Sequence, residues 1–191
     1  MKKIKQLDME LAGGCNYACQ MCPQSFGREK EFKQILKWDN FVKIVDDAIE
    51  HEVESISIHG GGEPTLSKHF IKTIKYIKSK NVKCFAFSNG YILDDNMIQE
   101  IADSGLDMFR ISCIGYDSES YNKWMPTKVK KDKSDRFLKV RDNVSKLVDI
   151  CKDTNTEIHA NHLIIDINQK DYEVEQYIKN WVNITNTKSE I

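Results

Sequence analysis

Strand-like runs alternate with helix-like runs along nearly the whole chain, and no other feature of the sequence limits its possible folds so strongly. Runs rich in β-branched and aromatic residues predict five strands, at residues 4–11, 53–59, 82–88, 107–112 and 156–165. A segment with apolar residues at helical spacing follows each run and predicts helices at residues 39–50, 70–77, 94–104, 137–153 and 171–182. Because each helix carries the chain back to the start of the next strand, this alternation predicts an α/β fold with a parallel sheet.

The length of the chain restricts how much of a barrel it can form. A complete eight-unit (β/α) barrel needs about 250 residues, and this chain has 191. We therefore expect a partial (β/α) barrel of about five to six units, formed by residues 1–182, followed by a polar tail at residues 183–191. The last predicted helix has Val174, Ile178 and Trp181 on the face expected to be buried.

A sixth strand is not visible in the sequence. If the sheet ends at the fifth strand, that strand has unpaired backbone groups along one edge. We therefore expect self-association, or a partner protein, at this open edge.

Composition and charge argue against two classes of partner. The 28 basic and 29 acidic residues give a net charge of −1, which provides no basic surface for nucleic acid. No apolar run approaches the roughly 20 residues that a membrane-spanning helix requires, and the basic residues 1–5 are not followed by an apolar signal region. We expect neither nucleic acid nor a membrane as a partner, and a cytoplasmic location.

Three cysteines lie within eight residues, at Cys15, Cys19 and Cys22. Three thiolates can hold an iron-sulfur cluster while one metal position stays open for a small molecule. The alternatives are a structural zinc site, for which His51 lies outside the usual ligand spacing, and a disulfide. The other cysteines are scattered singly through apolar segments and are expected to be core thiols; they are Cys84, Cys113 and Cys151.

A second motif, His59-Gly-Gly-Gly-Glu63-Pro64-Thr65, follows the second predicted strand. Taken alone, its glycines predict a strand-to-helix turn, since they allow positive φ and close backbone approach. However, the cysteines follow strand one, Ser88 and Asn89 follow strand three, and Ser112 ends strand four. Parallel sheets bind ligands at the carboxyl ends of their strands, so these residues are expected to share one site.

The two motifs together resemble those of radical S-adenosylmethionine (radical SAM) enzymes. The resemblance implies that Cys15, Cys19 and Cys22 hold a [4Fe-4S] cluster whose open iron binds S-adenosyl-L-methionine. It gives the remaining contacts to this cofactor to the following residues: Gly61, Gly62, Glu63 and Pro64 for the methionine amine, Met21 for the adenine, and Ser88, Asn89 and Ser112 for the ribose and carboxylate.

Within the family, the chain is most similar to the catalytic part of SPASM-type enzymes, and we expect no cysteine-rich extension after it. Where those enzymes commonly have Asp, this chain has Ile114, and it has Trp124-Met125 in place of the Arg that pairs with the SAM carboxylate. Lys123 or Lys128 are the candidate substitutes, although an ammonium lacks the fork of a guanidinium.

The function that the resemblance implies is reductive cleavage of SAM to a 5′-deoxyadenosyl radical, which abstracts hydrogen from a peptide or a small metabolite. An electron donor such as flavodoxin or ferredoxin is the implied partner. Two alternatives stay open: an iron-sulfur electron carrier, and a shortened core that acts only with a partner protein. The longest irregular stretch, residues 114–135, is expected to be either a substrate-contacting loop or a surface loop held by its aromatic residues.

Overall fold

A computed structural model describes residues 4–26, 34–129 and 134–190 of the chain. Among these residues, six strands form one sheet in the order in which they occur in the sequence. Every neighbouring pair is parallel. The strands are β1 (Gln6–Met9), β2 (Ser55–Ile58), β3 (Lys83–Ser88), β4 (Met108–Ser112), β5 (Glu157–Asn161) and β6 (Lys188–Glu190).

Helices connect the successive strands. They are α1 (Trp38–Glu50), α2 (Phe70–Ser79), α3 (Asp95–Ala102), α4 (Ser118–Trp124), α5 (Arg136–Cys151), α6 (Lys170–Tyr177) and α7 (Asn183–Thr185). A π-helical turn, Ile178–Val182, joins α6 to α7. The predicted α/β class and partial barrel are confirmed, with one helix or more in each connection.

The core lies between the helices and one face of the sheet. Alternate strand residues on that face are almost fully buried, for example Ile56 on β2, Phe109 on β4 and Ala160 on β5. The helices contribute the opposite wall through residues at helical spacing, such as Val45 in α1 and Ile74 in α2. The apolar residues at every second strand position and those at helical spacing therefore pack together in one hydrophobic layer.

The expectation that the sheet ends at the fifth strand is wrong. Strand β6 lies within residues 183–191, which the sequence analysis assigned to a polar tail, and it pairs with β5 in parallel. Its three residues, Lys-Ser-Glu, have no apolar pattern, so pairing depends on backbone bonds and on Lys188 Nζ contacting Glu157 Oε1 at 2.5 Å. Among the described strands, β1 and β6 are the two edges of the sheet, and β6 is short and charged, like edge strands that resist association.

Residues 114–135 are not irregular throughout. Helix α4 occupies Ser118–Trp124, and a capping box between Asp117 and Ser120 starts it. Tyr121 is fully buried, and its hydroxyl lies 3.5 Å from that of Tyr17 in the cysteine loop. The sequence analysis missed this helix because seven polar and aromatic residues show too little periodicity.

The predicted C-terminal helix exists, but it presents a different face to the core. Trp181 is fully buried as expected, whereas Ile178 is exposed. Glu173 and Tyr177 are buried instead. Both have polar partners that a hydrophobic pattern cannot reveal, since Glu173 accepts backbone hydrogen bonds from residues 165 and 166 and the Tyr177 hydroxyl donates to Ala160 O at 2.6 Å.

None of the helices in the described part of the chain combines the length and the apolar content needed to cross a membrane.

Candidate functional site

The loops that follow β1 to β4 surround a cavity of about 290 Å³ at the carboxyl ends of the strands. The wall of this cavity contains every residue that the sequence analysis assigned to the cluster or to SAM: Cys15, Cys19, Met21, Cys22, Gly61, Gly62, Glu63, Pro64, Ser88, Asn89 and Ser112. In the sequence, the first and the last of these residues, Cys15 and Ser112, are almost a hundred positions apart. The parallel topology brings them together, while the role of each remains a prediction.

The cysteine loop is held in place by the last residue of α4 and the segment that follows it. Ala18 N donates to Pro126 O at 2.7 Å, and Gln20 N donates to Trp124 O at 2.9 Å. Within the loop, Cys22 N donates to Cys19 O at 3.0 Å. Residues 124–128, which the sequence analysis did not connect with the cysteines, therefore fix the path of the loop.

The three cysteine thiols are partly buried in the cavity wall. Burial raises the pKa of Cys19 to about 12 and also raises the pKa of Cys15. The Cys15 sulfur accepts from Tyr17 N at 3.4 Å and lies 3.9 Å from Asn89 Nδ2. Among the described residues, no three His, Cys, Asp or Glu side chains are grouped closely enough to hold a single metal ion. Three soft sulfur donors around one cavity, with N–H groups directed at sulfur, fit an iron-sulfur cluster.

The glycine loop after β2 packs directly against the loop after β1. A Cβ atom on Gly62 would lie only 1.6 Å from Ala12 O, so no other residue fits there. Glu63 N donates to Gly14 O at 2.8 Å, and Gly62 N donates to Glu10 Oε1 at 3.0 Å. The close approach of these two loops joins the second motif to the cysteine loop.

Glu63 is buried and its carboxylate connects β2 to β3. Oε1 accepts from Thr65 N at 3.2 Å, Thr65 Oγ1 at 2.6 Å and Ser88 Oγ at 2.8 Å. Oε2 accepts from Asn89 N at 2.8 Å, which leaves this oxygen able to accept one further bond. Burial raises the pKa of Glu63, and these hydrogen bonds act in the opposite direction. The carboxylate is thus fixed by protein donors, a role that the sequence analysis did not assign to it.

The turn after β3 is ordered by amide side chains. Gly90 has φ +71°, and its carbonyl accepts from Asn143 Nδ2 of α5 at 2.9 Å. Asn89 Nδ2 donates to Asn16 Oδ1 in the cysteine loop at 2.7 Å. Asn143 and Asn16 are positioning residues that sequence reasoning missed, because a single Asn has no local pattern that points to a distant turn.

Neither candidate lysine lines the cavity. Lys123 lies over the Trp124 ring at 4.8 Å, and Lys128 lines a neighbouring cavity of about 240 Å³ on the Cys15 side. Met125 occupies the wall and is buried. The described residues that line the cavity include no Lys or Arg, so a SAM carboxylate would meet neutral donors there.

The isolated core cysteines agree with expectation. Cys84, Cys113 and Cys151 are buried, and none of them lines the cavity. Burial raises the pKa of Cys113. These thiols behave as small apolar core residues.

The sequence profile of the Radical SAM superfamily matches residues 9–171 of this chain. A tungsten-containing aldehyde ferredoxin oxidoreductase cofactor-modifying protein of Pyrococcus furiosus is 32% identical over 110 residues, which are 57% of this chain and 30% of that protein. A probable GTP 3′,8-cyclase of Methanococcus maripaludis is 30% identical over 122 residues, covering 64% of this chain and 40% of that protein. The chain therefore matches less than half the length of either relative.

Solved structures with the same fold include Streptococcus suis SuiB bound to its precursor peptide SuiA. Its TM-score is 0.70 at 18% identity, and the match covers 93% of this chain and 38% of SuiB. SuiB bound to S-adenosylmethionine gives a TM-score of 0.69 at 16% identity, over 93% of this chain and 37% of SuiB. At these identities the likeness concerns the fold.

Proposed function

This chain belongs to the radical SAM superfamily, and on that premise we propose that it is a radical SAM enzyme acting on a peptide or a small metabolite. The observation that carries the proposal is the single cavity lined by three cysteines, the Gly-Gly-Glu-Pro loop and the ends of β3 and β4. When bound, a [4Fe-4S] cluster supplies an electron, and S-adenosyl-L-methionine supplies the 5′-deoxyadenosyl radical that abstracts hydrogen from the substrate.

In this proposal, Cys15, Cys19 and Cys22 hold the iron. Their loop is preorganised by backbone bonds to the segment after α4, so that little ordering is needed when metal binds. Binding converts the thiols to thiolates and releases protons. The N–H groups directed at Cys15 sulfur stabilise its negative charge.

The glycine loop and Glu63 would orient SAM. Absence of side chains at Gly61 and Gly62 lets the ligand approach the backbone closely. Glu63 Oε2, which has one acceptor position left, can take a proton donor of the methionine amine without losing its bond to Asn89 N. Ser88, Asn89 and Ser112 provide neutral polar groups for the ribose and carboxylate.

Apolar side chains in the wall would exclude water from the reacting groups. Met21, Ile114 and Met125 contribute to this part of the lining. Exclusion of water matters because a radical intermediate must meet the substrate before any competing donor.

One comparison bears on the substrate proposal. SuiB was solved with a precursor peptide, which favours a peptide among the possible substrates. A low-potential electron donor such as flavodoxin or ferredoxin would reduce the cluster. The matches to the Pyrococcus furiosus and Methanococcus maripaludis relatives cover less than half of each of those proteins, so the complete reaction is part of this proposal.

An iron-sulfur carrier is the alternative function. It has no need for the Gly62 contact with Ala12 or for a buried carboxylate at Glu63 beside its cysteines. The third possibility, a core completed only by a partner, depended on an absent sixth strand and loses its motivation with β6.

The test is anaerobic reconstitution with iron and sulfide, followed by dithionite and SAM, with 5′-deoxyadenosine as the product measured. We expect formation by the native chain and by Cys151→Ala, which removes a buried thiol that does not line the cavity. Cys19→Ala should form none. A native chain that holds iron and sulfide but releases no 5′-deoxyadenosine would favour the carrier.

A further inference from the structure

Cys15 lies between two cavities. It lines the cofactor cavity and also the neighbouring cavity of about 240 Å³, called the rear cavity from here on. The described residues that line the rear cavity include Gly14, Leu66 and Lys128. A Cβ atom on Gly14 would meet no atom within 4 Å, so this side of the cysteine loop has open space beside it. The rear cavity is therefore separate from the place proposed for SAM but shares one cluster ligand with it.

Lys128 is held beside the cysteine loop by backbone contacts. Lys128 N donates to Asn16 O at 2.8 Å. The preceding residue, Thr127, forms an antiparallel bridge with Tyr17, and its Oγ1 donates to Asn16 O at 3.1 Å. None of these contacts uses the Lys128 side chain. We therefore expect a substitution of that side chain to leave the path of the cysteine loop unchanged.

The two cavities bring opposite charges to the cysteine loop. The described residues that line the cofactor cavity include the carboxylate of Glu63 and no Lys or Arg. The rear cavity supplies a cation, Lys128. Burial raises the pKa of Cys15 and of Cys19, whereas the charge of Lys128 acts to lower both pKa values. Lys128 is thus near enough to favour negative charge on two of the three sulfur atoms.

A cation in this position affects the reduction of an iron-sulfur cluster. Reduction adds negative charge to the iron atoms and their sulfur ligands, and the potential depends on the charges and hydrogen bonds around them. A nearby cation stabilises the reduced form more than the oxidised form, so it raises the reduction potential. Unit charges several ångströms apart near a protein surface interact strongly enough to change such an equilibrium about tenfold. For a one-electron couple, a tenfold change corresponds to about 59 mV.

We propose that Lys128 acts from the rear cavity, across Cys15, to raise the reduction potential of a [4Fe-4S] cluster held by the three cysteines. The inference rests on the proposed function, because it takes these cysteines as the cluster ligands. In the step concerned, one electron passes from the low-potential donor, which is oxidised, to the cluster, which is reduced. Lys128 is a positioning residue here, since it places a charge behind a ligand and does not line the cofactor cavity. An ammonium group that donates hydrogen bonds keeps its charge, so the effect does not depend on what else Lys128 contacts.

The test is an anaerobic redox titration of the reconstituted full chain without SAM, in which electron paramagnetic resonance measures the reduced cluster. Iron content first shows that each variant holds a cluster. Lys128→Gln removes the charge, and at the native midpoint potential its ratio of reduced to oxidised cluster should fall about tenfold, a shift of about 59 mV to lower potential. Lys128→Arg keeps the charge and should titrate as the native chain does. Lys128→Glu reverses the charge and should shift the potential further in the same direction as Lys128→Gln.

Lys123 provides the matched control. Its ammonium lies over the Trp124 ring at 4.8 Å, and the residue lines neither cavity. Lys123→Gln removes the same charge from the surface, where solvent and salt screen it, and should change the ratio by less than about twofold. If Lys128→Gln holds no cluster, Leu66→Glu replaces it. Leu66 is exposed and lines the rear cavity, so a carboxylate there should lower the potential, whereas Leu66→Gln should not.

Three results would each overturn the proposal: a native potential in Lys128→Gln, a shift of the same size in Lys123→Gln, or a shift in Lys128→Arg as large as that in Lys128→Gln. Loss of iron from both Lys128→Gln and Leu66→Glu would overturn it too, because it would assign these side chains a structural role. The titration needs neither SAM nor a substrate. A potential that follows the charge at residue 128, without 5′-deoxyadenosine formation by the native chain, would count against the proposed function alone. Formation of 5′-deoxyadenosine with the native potential in every variant would count against the role of Lys128 alone.

Discussion

The loops of the first three strands and those of the last three are held in place by different kinds of contact. In the β1 to β3 half, short motifs at strand ends meet each other directly: Gly62 packs on Ala12, and Glu63 binds Ser88 and Asn89. These residues lie in loops after strands β1, β2 and β3, where the sequence alone already predicts a site.

In the β4 to β6 half, residues after β5 contact the loop after β4, and the contacting residues are far apart in the sequence. Trp181 Nε1 donates to Gly115 O at 2.7 Å, and His162 Nδ1 lies 3.1 Å from Cys113 O. The Tyr177 ring stacks on His162 with centroids 4.8 Å apart. These buried polar contacts hold the loop after β4, so we expect substitutions of the residues that make them to lower stability before they affect cofactor binding.

The largest expected effect separates two glycines of the first half. Gly62→Ala forces a Cβ against Ala12 O, which cannot move without displacing the cysteine loop, so we expect a loss of about 3 kcal/mol or more in unfolding free energy and loss of SAM binding. Gly14→Ala meets no atom within 4 Å and should stay within about 0.5 kcal/mol of the native chain. Urea unfolding and SAM titration measure both. Equal tolerance of the two substitutions would contradict the packing described here.

A smaller effect should separate two carboxylates of the same half. Glu63→Gln directs amide hydrogens at fixed backbone donors of Thr65 or Asn89, and about 2 kcal/mol of stability should be lost together with SAM affinity. Glu10 is exposed, and Glu10→Gln keeps an oxygen for Gly62 N. Its loss should be under about 0.5 kcal/mol. The comparison fails if the exposed variant weakens SAM binding as much as the buried one.

The sequence predicted which residues lie around one cavity, and the α/β class, better than it predicted two of the surrounding elements. Cys15, Glu63 and Ser88 could be placed at one edge because parallel strands end together, a rule that needs only the strand order. Strand β6 and helix α4 could not, since three polar residues and a seven-residue helix carry almost no periodic signal. Their formation depends on contacts with residues distant in sequence.

The burial of the Glu173 side chain is a second feature that sequence periodicity could not predict. A buried carboxylate is unexpected from hydrophobic patterning, and the backbone N–H groups at residues 165 and 166, together with His162 Nε2 at 3.7 Å, account for it. The hydrogen bonds from Ser88 and Asn89 to Glu63 could not be predicted either, because they join polar residues 25 and 26 positions apart in the sequence. All three residues had nevertheless been assigned to the site.

In the second half, removal of one hydroxyl should lower stability and leave cofactor binding intact. Tyr177→Phe loses the bond to Ala160 O and should cost about 1 kcal/mol. Tyr172→Phe, on the same helix with an exposed side chain, should have no measurable effect. Thermal unfolding of both variants, with iron content as the second readout, sharpens the comparison between halves. Loss of iron in Tyr177→Phe would show that the contacts of the second half also determine cofactor binding.

The smallest expected effect concerns the edge strand. Hydrogen bonds from Lys188 and then from His159 lower the pKa of Glu157 below its ordinary value of 4.5. The ionised carboxylate therefore stabilises the fold above that ordinary value, and this contribution disappears as pH falls through the lowered pKa. Glu157→Gln should unfold at a slightly lower urea concentration than the native chain at neutral pH, and at the same concentration in acid below both pKa values. A difference that persists in acid would assign another role to Glu157.

Our central proposal is that strands β1 to β4 and the loops after them form one cofactor site with one open iron position. Its most direct test is electron-nuclear double resonance of the reduced, reconstituted chain with SAM that carries nitrogen-15 in the methionine amine. The account predicts a hyperfine coupling between the cluster and this nitrogen, weakened or absent in Glu63→Gln. A cluster signal that is present and unchanged by SAM would contradict it.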